Sequence, residues 1–414
     1  MVDAFPAVVP TLLALSLAAC GGGTEVVAPP PPPPAGLTMA FLPDPDDLPT
    51  ATSLGWQAGI PGLAVTLTPQ DSSRAARAFS SSSQGTVAIG DLIPGDYVVE
   101  ANRRLTEAER SRLEPGDNAD GFAARALLRV AASGTSRVMV PASRQRGLVI
   151  SEWAFNVFAV TGVAFYPFGG FLEIYNNADS TVYLDGMTVA EGFAIYLQTT
   201  NTTCDGDGAF NNDPSGAWAR FMARFPGTGH DHPLLPRHVA VIATDAINHG
   251  TIVSGGLDLS QADFEFAGTA DVDNPAVPNM IDIGPSSHSD GHGIYFPLNA
   301  AVAVLALPVD VATLARGTHV GTTDYVRIPK DKVLDVLWIE SAYHDPAFIE
   351  CPRLVNSAFD RAASAARGAD DAVEWAFSLS RSGLSGAGSV TLQHTRSGFA
   401  DFVRTSRTPG SVQP

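Results

Sequence analysis

Residues 148–189 (LVISEWAFNVFAVTGVAFYPFGGFLEIYNNADSTVYLDGMTV) constrain the fold most, because they break into short alternating segments joined by turn residues. Phe171 to Tyr175 alternates, with Leu172 and Ile174 on one face and Phe171, Glu173 and Tyr175 on the other. After the polar turn Asn176 to Asp179, Val182 and Leu184 continue an apolar face, which predicts a hairpin. Asp185-Gly186 supplies a second tight turn, and Met187 to Val189 restarts a strand. The segment reads as three strands of one sandwich. With 39 Gly and 31 Pro in 414 residues, 45% apolar residues and only 16% charged, the chain suits turn-rich sheets and has enough apolar surface for two cores.

The region before it carries the same signals. Gly62 to Leu67 and Gly85 to Ile89 alternate as strands, and residues 92–100 turn on Pro94-Gly95 into another. Thr106 to Glu109 is a capping box opening a short helix that Pro115-Gly116 closes, and Val130 to Val140 supplies a last strand. A short linker, Ser143 to Gly147, predicts that two sandwiches pack end to end. At the N-terminus, Val8 to Ala19 is apolar but too short to span a bilayer, and reads as a signal-peptide core. Residues 21–36 (GGGTEVVAPPPPPPAG) form a tether, whose prolines extend at about 3.1 Å per residue.

Several of these segments carry resemblances. Leu17-Ala18-Ala19-Cys20 resembles a bacterial lipobox, which implies that Cys20 is acylated and anchors an exported protein. Asp3 and the lack of Lys or Arg in residues 1–5 depart from the usual signal. Gly21, rather than Asp, after the cysteine points to the outer membrane. Ile150-Ser151-Glu152, then Phe171 to Asn176, then Tyr183 to Gly186, resemble the opening strands of a lamin-tail-type immunoglobulin-like sandwich. Residues 236–246 (PRHVAVIATDA) resemble that family's strand after a Pro-Gly turn, with Arg237 where Gly is usual. Residues 333–337 (VLDVL) resemble its late signature of an Asp within a strand.

A longer run, residues 245–249 (DAINH), 259–265 (LSQADFE) and 271–280 (DVDNPAVPNM), is similar to a narrower family of bacterial lipoproteins known only as a domain of unknown function. That resemblance covers most of residues 148 to 404 and implies a fold and a location, with no assigned activity. The glycine-rich strand followed by Leu92-Ile93-Pro94-Gly95-Asp96-Tyr97 resembles the carboxypeptidase-regulatory, or prealbumin-like, sandwich, which brings no catalytic residues. The expected organisation is therefore all-β: a lipoprotein signal peptide over 1–20, a tether over 21–36, a carboxypeptidase-regulatory-like sandwich over 37–146 and a lamin-tail-like sandwich with insertions over 147–407.

Charge and cysteine usage narrow the chemistry. A formal net charge of -18 and the absence of any basic run argue against nucleic acid as a partner. With Cys20 assigned to lipid, Cys204 and Cys351 remain as an even pair in an exported chain, and a disulfide is predicted, against the alternative of two buried thiols. Asp205, Asp207, Asn211 and Asp213 lie on a glycine-bearing loop whose spacing starts like a calcium loop. It lacks the closing Glu, and an Asx-rich surface turn uses the same residues. His230-Asp231-His232 and His288 with His292 offer at most two imidazoles and a carboxylate each, short of a zinc site unless the loops meet. Asp271 and Asp273 read as a cation cluster or as an Asx-turn before Pro275.

Trp218, Phe221, Met222 and Phe225 recur at helical spacing, and predict a short amphipathic helix ended by Pro226-Gly227, packed on the sandwich or presenting an aromatic platform. Residues 376–380, 389–394 and 401–404 look like closing strands, and 355–372 like a helix. There is no H-E-x-x-H, phosphate loop or nucleophile elbow. The expectation is a lipid-anchored cell-envelope protein that binds or scaffolds a protein or glycan, without catalytic activity and with no cofactor beyond a candidate calcium. A metal-dependent extracellular hydrolase and a calcium-dependent glycan-binding module are the alternatives.

Overall fold

The computed structural model describes residues 33–144, 147–154, 168–192, 208–266, 268, 273–285, 301–319, 323–340, 354–365, 377–386 and 389–412. Its secondary structure is mostly strand, with a few short helices. The first eight strands are β1 (Ala35–Pro43), β2 (Ala64–Pro69), β3 (Arg77–Ser80), β4 (Thr86–Leu92), β5 (Gly95–Arg104), β6 (Ala119–Val130), β7 (Gly134–Val140) and β8 (Ala142–Arg144). They form a three-stranded sheet in the order β4-β1-β7 and a five-stranded sheet in the order β3-β2-β5-β6-β8. Alternation is clean where one face is wet: β1 reads buried at every second residue, so Leu37, Met39 and Phe41 meet Val65, Leu67, Val99 and Phe122 in one core.

Two helices serve this part. Helix α1 (Leu48–Leu54) ends on Gly55, whose φ of 79° is the left-handed cap that glycine accepts without strain. Helix α2 (Glu107–Arg110) opens on the expected box: Thr106 Oγ1 accepts from Glu109 N, and the Glu109 carboxylate accepts from Thr106 N. The same carboxylate takes both oxygens to Arg103 at 2.8 Å, and that guanidinium lies 4.6 Å from the centre of the Trp56 ring. The longest strand, β6, went unread because its first six residues are all buried, which erases the alternation.

The second group begins with β9 (Leu148–Ala154), β10 (Phe171–Asn176), β11 (Val182–Tyr183), β12 (Thr188–Gly192), β13 (Gly216–Arg224), β14 (Pro233–Leu234), β15 (Val239–Ala243) and β16 (Phe264–Phe266). It continues with β17 (Asn279–Asp282), β18 (Ala301–Ala306), β19 (Ala315–His319), β20 (Thr323–Pro329), β21 (Val333–Glu340), β22 (Ser364–Ala365), β23 (Phe377–Arg381) and β24 (Phe402–Ser406). All but β11 and β14 join a 14-stranded sheet, in the order β22-β21-β18-β12-β13-β17-β16-β15-β10-β9-β23-β24, with β20 on β13 and β19 on β20. The sheet curls until its halves face each other: Leu148, Ile150 and Trp153 of β9 share a core with Leu305 of β18 and Leu337 and Ile339 of β21.

Four sequence expectations are corrected. Val182 and Tyr183 do not fold back on residues 171–176; they pair with Leu234 and Pro233, while β10 sits between β9 and β15. Residues 216–224 are a strand, not a helix. Ala223 and nearby Phe225 face the shared core while Ala219 and Met222 face a second apolar layer, so burial on both sides produced a spacing that mimics a helix. Residues 355–363 make turns rather than a helix, and 389–394 contribute only the bridge between Gly383 and Leu392. The turn before β15 is as expected, and Arg237 occupies it at a φ of 64°, the conformation for which the resembled family uses Gly. Its guanidinium donates to the Asn177 carbonyl and to Asp179 Oδ1, which offsets a cost of about 1–2 kcal/mol.

A buried ion pair closes the curled sheet. Arg381, 2% exposed at the end of β23, reaches Asp335, 4% exposed in β21, from the far side of the core. Nε donates to the Ile150 carbonyl on β9, and Nη1 donates to the Gln393 carbonyl and to Asp401. Asp335 also accepts from Ile150 N at 2.8 Å, Val336 N at 2.9 Å and His394 Nε2 at 3.1 Å. Burial acts to raise its pKa, but Arg381 and His394 outweigh it and hold the carboxyl below its ordinary range. Removing one partner of such a pair leaves the other charged and dry, so Arg381→Met lowers unfolding free energy by about 3–5 kcal/mol in urea titration, and Arg381→Met with Asp335→Leu recovers part of that loss.

Candidate binding groove

The residues singled out for metal binding do not converge where they are described. Asp205, Asp207, Cys20, Cys204, Cys351, His288 and His292 lie outside the described residues, as do Asp271 and Gly206. Asn211 ends helix α3 (Gly208–Asn211), 3% exposed. Asp213 is already engaged: Oδ1 accepts from Ser215 N and Oγ, and Oδ2 from Trp218 Nε1 at 3.0 Å and Arg327 Nη1 at 3.3 Å. Burial acts to raise its pKa, but these donors outweigh it and keep the carboxyl below the usual range. A guanidinium in contact disfavours a second cation there.

His230 packs edge-on against Tyr183 at 4.5 Å, and His232 against Phe264 at 5.0 Å. Their loop is organised by Asp185, whose carboxylate accepts from the backbone N–H groups of Gly229, Asp231 and His232. Slight burial opposes these bonds, which still drive Asp185 well below its ordinary pKa. Among the described residues no three His, Cys, Asp or Glu side chains form a metal-binding group.

What the fold does build is a polar groove. The outward face of β2, β5 and β6 meets residues 382–403, leaving a cavity of about 460 Å³. Thr66 and Glu100 are cross-strand neighbours on one wall, with Asn102 beside them; Ser382, Ser385 and Ser389 form the other wall. Both walls are pinned. Ser385 N donates to Asn102 Oδ1 at 2.8 Å, Arg104 N to the Ser385 carbonyl at 2.9 Å, and Arg104 Nη1 to the Ser389 carbonyl at 3.0 Å. Glu100 lies 3.4 Å from Arg125 Nε, and Arg125 covers the Phe399 ring at 5.0 Å. Contact between the two strand groups thus runs along a sheet face and not only end to end. It extends to His394 N on Ser143 Oγ and to Arg361 on Asp44 and Asp46.

A second cluster is sealed rather than open. Glu152 and Glu173 are directly paired across β9 and β10 on the face turned away from the shared core. Residues 408–410 cover them: Thr408 N and Oγ1 donate to Glu152, Gly410 N to Glu173, and Ser151 Oγ donates to Glu173 at 2.7 Å. Burial pushes Glu173 up to about 8, with the Glu152 charge adding to the rise, and burial raises Glu152 as well. Burial likewise pushes Asp120 and Asp360 up to about 7. The alternation placed Glu173 opposite Leu172 and Ile174 correctly, but nothing local said that this face would be covered.

These groups set the pH dependence. The folded chain keeps protons that the unfolded chain releases from about pH 4, the ordinary carboxylate range, up to the folded values near 7 and 8, so stability falls as pH rises through that window. Asp335, Asp185 and Asp213, held low, act in the opposite sense, and their contribution is lost as pH falls below about 4. The melting temperature is therefore expected to peak near pH 5, and Glu173→Gln to flatten its decline between pH 5 and 8 in a calorimetric pH series. An unchanged slope would remove Glu173 as a source.

No protein-family model and no curated protein matches the chain. Among solved structures, it is similar to a DUF4876 family protein from Bacteroides thetaiotaomicron, at 17% identity over 92% of this chain and 96% of that one, with a TM-score of 0.52. A DUF3823 family protein from Bacteroides uniformis (9% identity, 75% and 100% covered, TM-score 0.18) and the major pilin subunit of Bacillus cereus (9%, 73% and 94%, 0.17) fall where no common fold is inferred. The likeness to the first is one of fold, and it extends over most of the chain.

Proposed function

We propose that this is a lipid-anchored cell-envelope protein that binds or scaffolds a ligand and has no catalytic role. The observation that carries the reading is the groove: open to solvent, walled by both strand groups and held by main-chain bonds, it presents polar groups on a rigid frame. Rigid walls lower the ordering cost of binding. By contrast, the conspicuous carboxyl groups of Asp335, Asp213, Asp185 and Glu173 are engaged internally and hold the fold together.

Cys20 would carry the anchor, the proline tether would hold the folded part away from the bilayer, and the outer membrane is the favoured location. A disulfide between Cys204 and Cys351 fits the same exported setting. Cys20→Ser is expected to move the protein from the membrane pellet to the soluble fraction, and retention in the pellet would refute the anchor. For the groove, the chain lacking residues 1–20 should bind isolated envelopes saturably. Ser385→Trp, at an exposed wall position, should weaken that binding about tenfold, whereas Arg129→Ser on a distant exposed site leaves it unchanged.

A further inference from the structure

We infer that the groove takes a neutral, polyhydroxylated ligand, a carbohydrate chain; this rests on the groove being the binding site. Three properties of the lining select that class. First, the polar groups on the walls are the hydroxyls of Thr66, Ser382, Ser385 and Ser389, the amides of Asn102 and Gln393 and the Glu100 carboxylate, set among small and apolar residues such as Ala64 and Val390. Hydroxyls both donate and accept and rotate to suit, which matches the hydroxyls of a sugar and gives no preference to an apolar molecule. Second, among the described residues the lining holds no Lys, Arg or His, Glu100 is balanced by Arg125 behind it, and Arg104 beside the wall is engaged with the Ser389 carbonyl, so the groove presents little net charge to a ligand.

Third, β2, β5 and β6 are all flanked on both sides in the order β3-β2-β5-β6-β8, so the floor offers no free strand edge. A peptide adding itself as a strand needs such an edge, whereas a ligand read through side-chain groups does not. Among the described residues no aromatic ring lines the cavity to stack on a sugar face, so affinity rests on hydrogen bonds and is expected to be about millimolar for a short oligosaccharide. Gly386 lies in the serine wall, where a side chain would meet Arg104 at 3.0 Å.

The test is titration calorimetry of the chain lacking residues 1–20 with neutral gluco-, manno- and xylo-oligosaccharides, a uronic-acid oligosaccharide and an uncharged peptide. Binding of a neutral sugar is expected, weakened about tenfold by Thr66→Ala with Ser389→Ala at an unchanged melting temperature, and altered less than about twofold between 50 and 500 mM salt. Binding of only the uronate with steep salt dependence, or of only the peptide, overturns the carbohydrate assignment. So does sugar binding that the double variant leaves intact. If no sugar binds but Ser385→Trp still abolishes envelope binding, the ligand class is wrong and the groove stands; if Ser385→Trp has no effect either, both fall.

Discussion

The salt bridge between Arg381 and Asp335 is the contact on which the second strand group depends. A sheet of 14 strands that curls back on itself has to hold its facing halves in register without backbone bonds between them. Apolar packing supplies most of the energy but is indifferent to small slips. The guanidinium is directional: it bonds β9, β21 and the segment from Gln393 to Asp401 at once, and Asp335 returns bonds to β9 and His394. Such a network is costly to bury and severe to break, so a slip of the strands around it would strand a buried charge.

That network also accounts for what was legible. An Asp inside an apolar strand, as at residue 335, is visible in the sequence because it violates the pattern around it. Turns were legible for the same reason, through the box at Thr106 and the Arg237 position. Strands covered on both faces were not. β13 and the first half of β6 lose the two-residue period when helix, loop or a second sheet layer covers the outer face, and the eye then finds other periods in them. The supposed hairpin at residues 171–184 failed differently: each segment was rightly seen as extended, but pairing is decided by partners far along the chain.

The groove was invisible for a related reason. Its walls come from residues 64–124 and 382–403, and the bond from Ser385 to Asn102 spans 283 positions. No local spacing marks serines and an asparagine that meet only in the fold. Of the candidate metal-binding acids, Asp213 is bonded within the fold, whereas Asp205, Asp207 and Asp271 lie outside the described residues. Asp213, Asp185 and the Glu152–Glu173 pair cap loops or fasten residues 408–410, so an acidic total of -18 overstates how much negative charge faces solvent.

The long reach of these bonds has a consequence for biogenesis. The face formed by β2, β5 and β6 is complete once residue 130 has been made, yet its cover arrives some 250 residues later, with Ser143 waiting for His394 and Arg144 for the same residue's carbonyl. Contacts so distant in sequence form slowly, and an early strand group with an uncovered face is open to wrong partners in the interval. That face is polar, lined by Thr66, Glu100 and Asn102, and so it tolerates the wait in water where an apolar face would aggregate. The polarity of the groove's floor thus also protects a half-made chain.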